Sequence, residues 1–357
     1  MFIKNRNTQV QPSWQQVLHQ SITTAEALAP YVEINVQELE KVISRYPIRI
    51  NPYYLSLIRN RGDAIHRQCI PDIREITDEK GWEDPLDEEG NSPVPGLTHR
   101  YPDRVLFLVA SQCAMYCRFC NRKRKVGYSS MVSKESIREG LAYIRGHREI
   151  RDVLLSGGDP LLLENGKLHR ILSDLRSIPH VEIIRIGTRV PCALPQRITT
   201  QLARMLKEFH PLYINTHFNH PSEITASSSL ACKRLADAGI PLASQTVLLK
   251  GVNDDSVTVK RLMRQLLAIR VRPYYLFQAD LAKGTSHFWT PVSKGPEIIA
   301  GLQGHTSGLC IPHFAIDLPG GGGKVPLLPK YVVGADKNSL LIKNYRGEKY
   351  RYPLYEE

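Results

Sequence analysis

No part of this 357-residue chain is an unbroken apolar run on the scale of a membrane span, which takes roughly 20 residues. No membrane-spanning helix is expected on that ground, and no membrane partner. Cysteine is scarce, with seven in all, an odd number, and three of them crowd into one short stretch. That usage argues against a disulfide framework and for a reducing compartment, the cytoplasm. The opening Met-Phe-Ile-Lys-Asn-Arg-Asn leads into polar residues and does not read as a signal peptide. Internal repeats and low-complexity segments are also missing, which removes solenoids and arrays. Acidic residues are outnumbered, 35 against 47 Lys and Arg, for a net charge of +12. Such an excess can serve nucleic acid. Yet the only long basic block, Arg122-Lys123-Arg124-Lys125, sits directly behind the cysteine cluster. We read it as serving anionic ligands near a site and expect no nucleic-acid partner.

Hydrophobic residues make up 42% of the chain, enough for a full core. Residues 1–100 read as a helical extension. Trp14, Val17 and Leu18 recur at helical spacing over Ser13–Ser21. Asn35 caps a helix over Val36–Ser44, and Asn51 caps another over Pro52–Arg61. The acidic stretch Asp78–Gly90 reads as a surface connection. From residue 101 to 318 apolar runs alternate with helical patterns. The strand candidates are Arg104–Ala110, Asp152–Ser156, Ile183–Gly187, Leu212–His217, Leu242–Leu249 and Pro273–Gln278. Helical patterns lie between them near 134–146, 161–176, 196–208, 222–238 and 255–270. Strand–helix units in series imply a parallel sheet with right-handed crossovers. Six units predict an α/β protein built as an incomplete (β/α)6 barrel, with its site at the C-terminal ends of the strands. Residues 319–357 change character: a glycine run, then short strands over Tyr331–Val333, Ser339–Lys343 and Lys349–Tyr352, a small β tail.

Cys113, Cys117 and Cys120 have the spacing Cys-x3-Cys-x2-Cys and follow the first barrel strand. Structural zinc wants four ligands in two separated pairs, and no fourth cysteine lies nearby. Three thiolates on a [4Fe–4S] cluster leave one iron open for a substrate or cofactor. We favour the cluster over zinc or scattered core cysteines. Ser156-Gly157-Gly158-Asp159-Pro160 closes the second strand, either as an ordinary turn or as backbone brought close to a ligand. Pro319-Gly320-Gly321-Gly322-Gly323-Lys324-Val325 is no phosphate-binding P-loop, because Leu318 and Val325 stand where glycine and Ser/Thr are required. It is a plain flexible loop or a mount for a lysine that forms a Schiff base with pyridoxal phosphate (PLP).

The cysteine spacing is the signature of radical S-adenosylmethionine (SAM) enzymes. Together with Ser156–Pro160, Thr216–Pro221, Gly251–Asp254, Arg272–Tyr275, His305–Gly308 and Asp317–Lys324 it resembles the lysine 2,3-aminomutase family, from about Tyr54 to Tyr352. The resemblance implies a radical SAM barrel that uses a [4Fe–4S] cluster, SAM and PLP to move an α-amino group to the β-carbon. It implies Lys324 as the PLP lysine, with Arg100, Tyr101 and Arg104 in the PLP-phosphate region. It places Ser156, Gly157, Gly158, Asp159, His217 and Gln245 around SAM, and Cys113, Cys117 and Cys120 on the cluster. Arg122 takes the substrate carboxylate, and Asp280 and Asp317 meet a distal ammonium. L-lysine is the expected substrate. The alternatives are arginine, a lysine aminomutase serving elongation factor P, and a radical SAM enzyme that modifies RNA or protein. A flavodoxin- or ferredoxin-like reductant and a possible homo-oligomer complete the expected partners. Members of the family hold a structural zinc through a cysteine after Gly-Val-Asn-Asp and a cysteine-rich tail. Here Asp255 follows that motif and Cys310 is the last cysteine, so no zinc is expected.

Overall fold

The computed structural model describes residues 12–354. Met1–Asn7, read above as no signal peptide, lies outside them. Nine strands form one sheet in sequence order: β1 Leu97–Tyr101, β2 Arg104–Ala110, β3 Asp152–Gly157, β4 Ile183–Thr188, β5 Leu212–Thr216, β6 Leu242–Leu248, β7 Arg272–Gln278, β8 His313–Leu318 and β9 Gly323–Pro326. Neighbours from β2 to β8 pair in parallel. The two end strands, β1 and β9, run antiparallel to their neighbours. The result is an incomplete barrel with one more parallel strand, β8, than the six expected. Only Phe314 and Ala315 of β8 are buried. It therefore lacks the continuous apolar run that marks an inner strand. The seam between β1 and β9 has no ladder, but the Lys324 backbone N–H donates to the Tyr101 hydroxyl across it, at 2.9 Å.

Helices cover the barrel's outside: α7 Lys134–Gly146, α8 Asn165–Arg176, then, after a short buried α9 Val190–Ala193, α10 Thr200–Lys207, α11 Ala226–Asp237, α12 Ser256–Ala268 and α13 Lys294–Leu302. Ser133, Thr199, Thr225 and Asp255 cap four of them through their side chains, each satisfying an otherwise orphaned N–H. The patterns read as starting at 161 and 196 begin later. Short 3-10 turns over Pro160–Leu162 and Pro195–Arg197 take the leading residues. A three-stranded antiparallel sheet, β10 Val332–Ala335, β11 Ser339–Lys343 and β12 Lys349–Pro353, forms the tail.

The extension carries α1 Trp14–His19, α2 Ala25–Leu28 and α3 Val36–Arg45, and then α4 Pro52–Leu55, α5 Ala64–Cys69 and α6 Arg74–Thr77. The helix expected over Pro52–Arg61 is a single turn. The Asp63 carboxylate takes the Arg59 and Asn60 N–H groups at 2.8 and 3.1 Å, ends that run in a turn, and caps α5. The extension is fastened to the cysteine loop by backbone groups. Tyr116 N–H donates to Arg49 O and Arg118 N–H to Gln68 O. The Asn51 amide donates to Ala114 O and Ala193 O. Arg118 and Lys123 both pair with the fully buried Glu75 of α6. Among the described residues no helix is long and apolar enough to cross a membrane.

Candidate active site

A cavity of about 630 Å³ runs through the barrel, and all sixteen side chains singled out from the sequence line it. Arg104 opens β2 and the cysteine loop follows its other end. The cavity is thus at least a strand long, about 20 Å at roughly 3.3 Å per residue.

At the loop end stand Cys113, Cys117 and Cys120, all unpaired. Burial pushes the Cys120 thiol up to about 11, with the neighbouring Cys117 adding to it. Burial likewise raises Cys113, with Asp159 and the other two cysteines contributing. Cys113 and Cys120 thus hold their protons unless a cation takes them. No three His, Cys, Asp or Glu side chains among the described residues close on a single-ion site. The Gly157–Gly158 pair has a packing duty here. A Cβ on Gly157, whose φ is +131°, would stand 2.1 Å from Ala110 O, and one on Gly158 2.4 Å from Gln112 O. Only glycine lets β3 end against the stem of the cysteine loop. The Asp159 carboxylate is spent on protein groups: Thr188 Oγ1, Leu161 N–H and Arg189 N–H, at 2.7, 3.0 and 2.7 Å. Burial lifts it to about 6. His217 is driven down to about 4, by burial first and Arg189 next, so its imidazole is neutral at pH 7.

At the β1 end, Arg104 lies over the Tyr101 ring at 4.0 Å. Arg100 donates to Leu86 O and stands 3.6 Å from Asp317, and its Nε is buried without a partner. Tyr274, Tyr275 and Phe277 of β7 form an aromatic wall, with ring centroids 4.1 and 4.7 Å apart in sequence. Lys324 Nζ is 2.9 Å from Asp317 and 5.4 Å from the Phe277 ring centre. Asp280, at the end of β7, accepts from Asn121 Nδ2 at 2.8 Å. Burial, then the charge of Asp317, lifts its carboxyl to about 7.

Two expectations are corrected. The basic run does not serve anionic ligands as a whole: Arg122 pairs with Glu88, Lys123 with Glu75, Arg124 with Asp84 and Glu89, and Lys125 with Glu89, and of the four only Arg122 lines the cavity. Every one of these acids comes from residues 75–89. Asp78–Gly90 is accordingly no mere surface connection. Leu86 and Glu88 are buried, and both line the cavity. Acidic composition reads as solvated, but here the basic run Arg122–Lys125 supplies the counter-charges. The Arg122 guanidinium spends Nε and Nη2 on Glu88, and Nη1 faces Ser156 Oγ at 3.3 Å. Burial works against its charge and Glu88 outweighs that.

Sequence reading also passed over Arg189, Glu88, Asn121 and Arg185, all in the cavity wall. Arg189 had a signal, because it stands just past the C-terminal end of a parallel strand, where barrel chemistry gathers.

The radical SAM superfamily signature matches residues 107–262, and a signature described as lysine-2,3-aminomutase matches residues 299–357. The first spans β2 to mid-α12, cysteine loop included, and carries a [4Fe–4S] cluster and SAM with it. L-lysine 2,3-aminomutase of Acetoanaerobium sticklandii is 51% identical over 94% of this chain and 82% of its own. The enzyme of the same description from Clostridium subterminale is 50% identical over the same shares. Glutamate 2,3-aminomutase of Clostridioides difficile is 46% identical over 94% of this chain and 80% of its own. With half its residues shared along nearly its whole length, and three thiols set round a barrel cavity, this chain is an isomerase that belongs to the lysine 2,3-aminomutase family of radical SAM enzymes.

Proposed function

We propose that the protein converts L-lysine to β-lysine, moving the α-amino group to the β-carbon. The observation that carries the substrate is the carboxylate pair. Asp280 and Asp317 face one cavity, and Asp317 already accepts the amine of a lysine side chain, that of Lys324. A buried ammonium needs such partners. A glutamate side chain would meet repulsion from the same two groups.

Cys113, Cys117 and Cys120 would hold the cluster. The raised Cys113 and Cys120 thiols suit a cation-rich group, and the spread of the three around the cavity suits a polynuclear one. PLP fits the other end. Lys324 supplies the amine, Arg100 and Arg104 two guanidiniums for a phosphate, and the orphaned Arg100 Nε a donor awaiting an acceptor. When bound, the cluster with SAM supplies a carbon radical, and PLP a π system that carries the migrating nitrogen. An electron from a flavodoxin- or ferredoxin-like donor starts the chemistry.

The chain's own part is to bind, orient and keep water out. The Asp pair takes the distal ammonium. Arg122 offers its Nη1 edge, the one not spent on Glu88, to the substrate carboxylate. The span between them measures side-chain length. Gly157, Gly158, His217 and Gln245 line the SAM end, where a neutral His217 donates or accepts without adding charge. The aromatic wall of β7 excludes water from the reacting carbon. Anaerobic turnover with SAM, PLP and dithionite, offering lysine, arginine and glutamate separately, tests this. β-Lysine should dominate. Preferred turnover of glutamate would overturn the substrate, and preferred turnover of arginine would reassign it to a guanidinium.

A further inference from the structure

Arg189 follows β4 and is held through Nη1, Nη2 and its backbone N–H, while its buried Nε has no partner. Its Nη2 meets Glu223 Oε1 at 2.6 Å, Gln68 Oε1 at 2.6 Å and the Tyr54 hydroxyl at 3.1 Å. Its backbone N–H is fixed by Asp159. Glu223 is fully buried, and its other oxygen is taken by the Asn219 and His220 N–H groups. Charge balance is therefore met by Glu223 alone. What remains is a direction: Nη1 donates to Cys117 Sγ at 2.8 Å. The guanidinium carbon also lies 5.2 Å from the Phe119 ring, one residue before Cys120. Groups from α4, α5 and the turn after β5 thus aim one cation at one cysteine sulfur.

We propose that Arg189 sets the reduction potential of the cluster by donating a charged hydrogen bond to the Cys117 sulfur. This rests on the cluster reading above. Reduction takes one electron from the low-potential donor, which is oxidised, and adds one negative charge to the cluster. Cluster potentials follow net charge, hydrogen bonds to sulfur and exposure. A cationic donor stabilises the reduced form more than the oxidised one. The buried surroundings strengthen that bond. The potential is thereby raised, and a reductant has less to overcome before SAM is cleaved. Arg189 acts on the cluster through a ligand and is a positioning residue.

The test is a potentiometric titration of the iron- and sulfide-reconstituted protein, followed by the electron paramagnetic resonance of the reduced cluster. Arg189→Lys keeps the charge and loses the fork. Arg189→Met with Glu223→Gln removes the pair together, so that no buried charge is left alone. Iron and sulfide content should match the native protein in both. Both midpoints should fall, the paired variant's further. A tenfold lower reduced-to-oxidised ratio at fixed potential corresponds to about 59 mV for one electron. Loaded variants at the native midpoint would overturn the proposal. So would a paired variant unable to take up a cluster, which would make Arg189 a structural brace. A native protein that takes up no cluster would instead sink the cluster reading itself.

Discussion

Asp280 gives the sharpest handle on the substrate, because its carboxyl titrates in the working range. Burial and the Asp317 charge set it at about 7. Only the ionised form pairs with an ammonium, so with that value about a tenth of the sites are competent at pH 6 and about nine tenths at pH 8. The sign follows directly: kcat/KM for lysine should rise about tenfold between pH 6 and 8 from this group alone. A bound cation favours ionisation, so lysine binding below pH 7 should release a proton, read by calorimetry in buffers of different ionisation enthalpy. Asp280→Asn keeps the shape and can still accept from Asn121. It should flatten the limb and lower kcat/KM by roughly two orders of magnitude, the equivalent of about 3 kcal/mol. The substrate-free protein supplies an independent check. A carboxyl raised in the folded state favours folding most below its unfolded value, about 3.9, and that contribution is lost as pH rises through 7. The native melting temperature should therefore fall between pH 4 and 7 relative to Asp280→Asn. A native profile without the limb, or an Asn variant that keeps it, would refute the reasoning.

Cys117→Ala should abolish SAM cleavage while circular dichroism stays native, since it removes one sulfur from a half-buried side chain at the side of the core. Lys324→Ala should lose the absorption of bound PLP yet keep the iron signal. Glu88→Ala leaves Arg122 buried and unpaired, so urea denaturation should show a loss of about 3–5 kcal/mol. Elemental analysis of the purified protein should find no stoichiometric zinc.

The inner strands and their helices were legible because a buried parallel strand writes itself as an apolar run and a helix cap as one polar residue. β1, β8 and β9 were not. β1 and β9 are short hairpin partners of β2 and β8 at the ends of the sheet, and β8 buries only Phe314 and Ala315, so none carries a continuous apolar run. The sixteen cavity residues came from motif order, and the structure gathers all of them. Arg189 and Glu88 escaped because their meaning is relational. The place of Arg189 just past a strand end marked it only as near the site, and a glutamate in an acidic loop marked nothing, until Cys117 and Arg122 stood beside them. The basic run failed in the same way, since local composition showed the charges and not their partners.

The extension that cradles the cysteine loop is made first and finds its partners last. Tyr54 waits for Glu223, 169 residues on, and Gln68 for Asn219, 151 residues on. At about 5–20 residues per second a ribosome needs on the order of 10 s to close that gap. In the later part of that interval, once Cys120 has been made, the three cysteines have emerged but Glu223 and Asn219 have not. The loop is then open to the machinery that delivers iron and sulfide. Once Glu223 arrives, Tyr54, Gln68 and Arg189 lock together over it. The order of synthesis thus gives the cysteine loop a period in which it is more open than in the finished fold, where the three cysteines are reached only through the cavity they line.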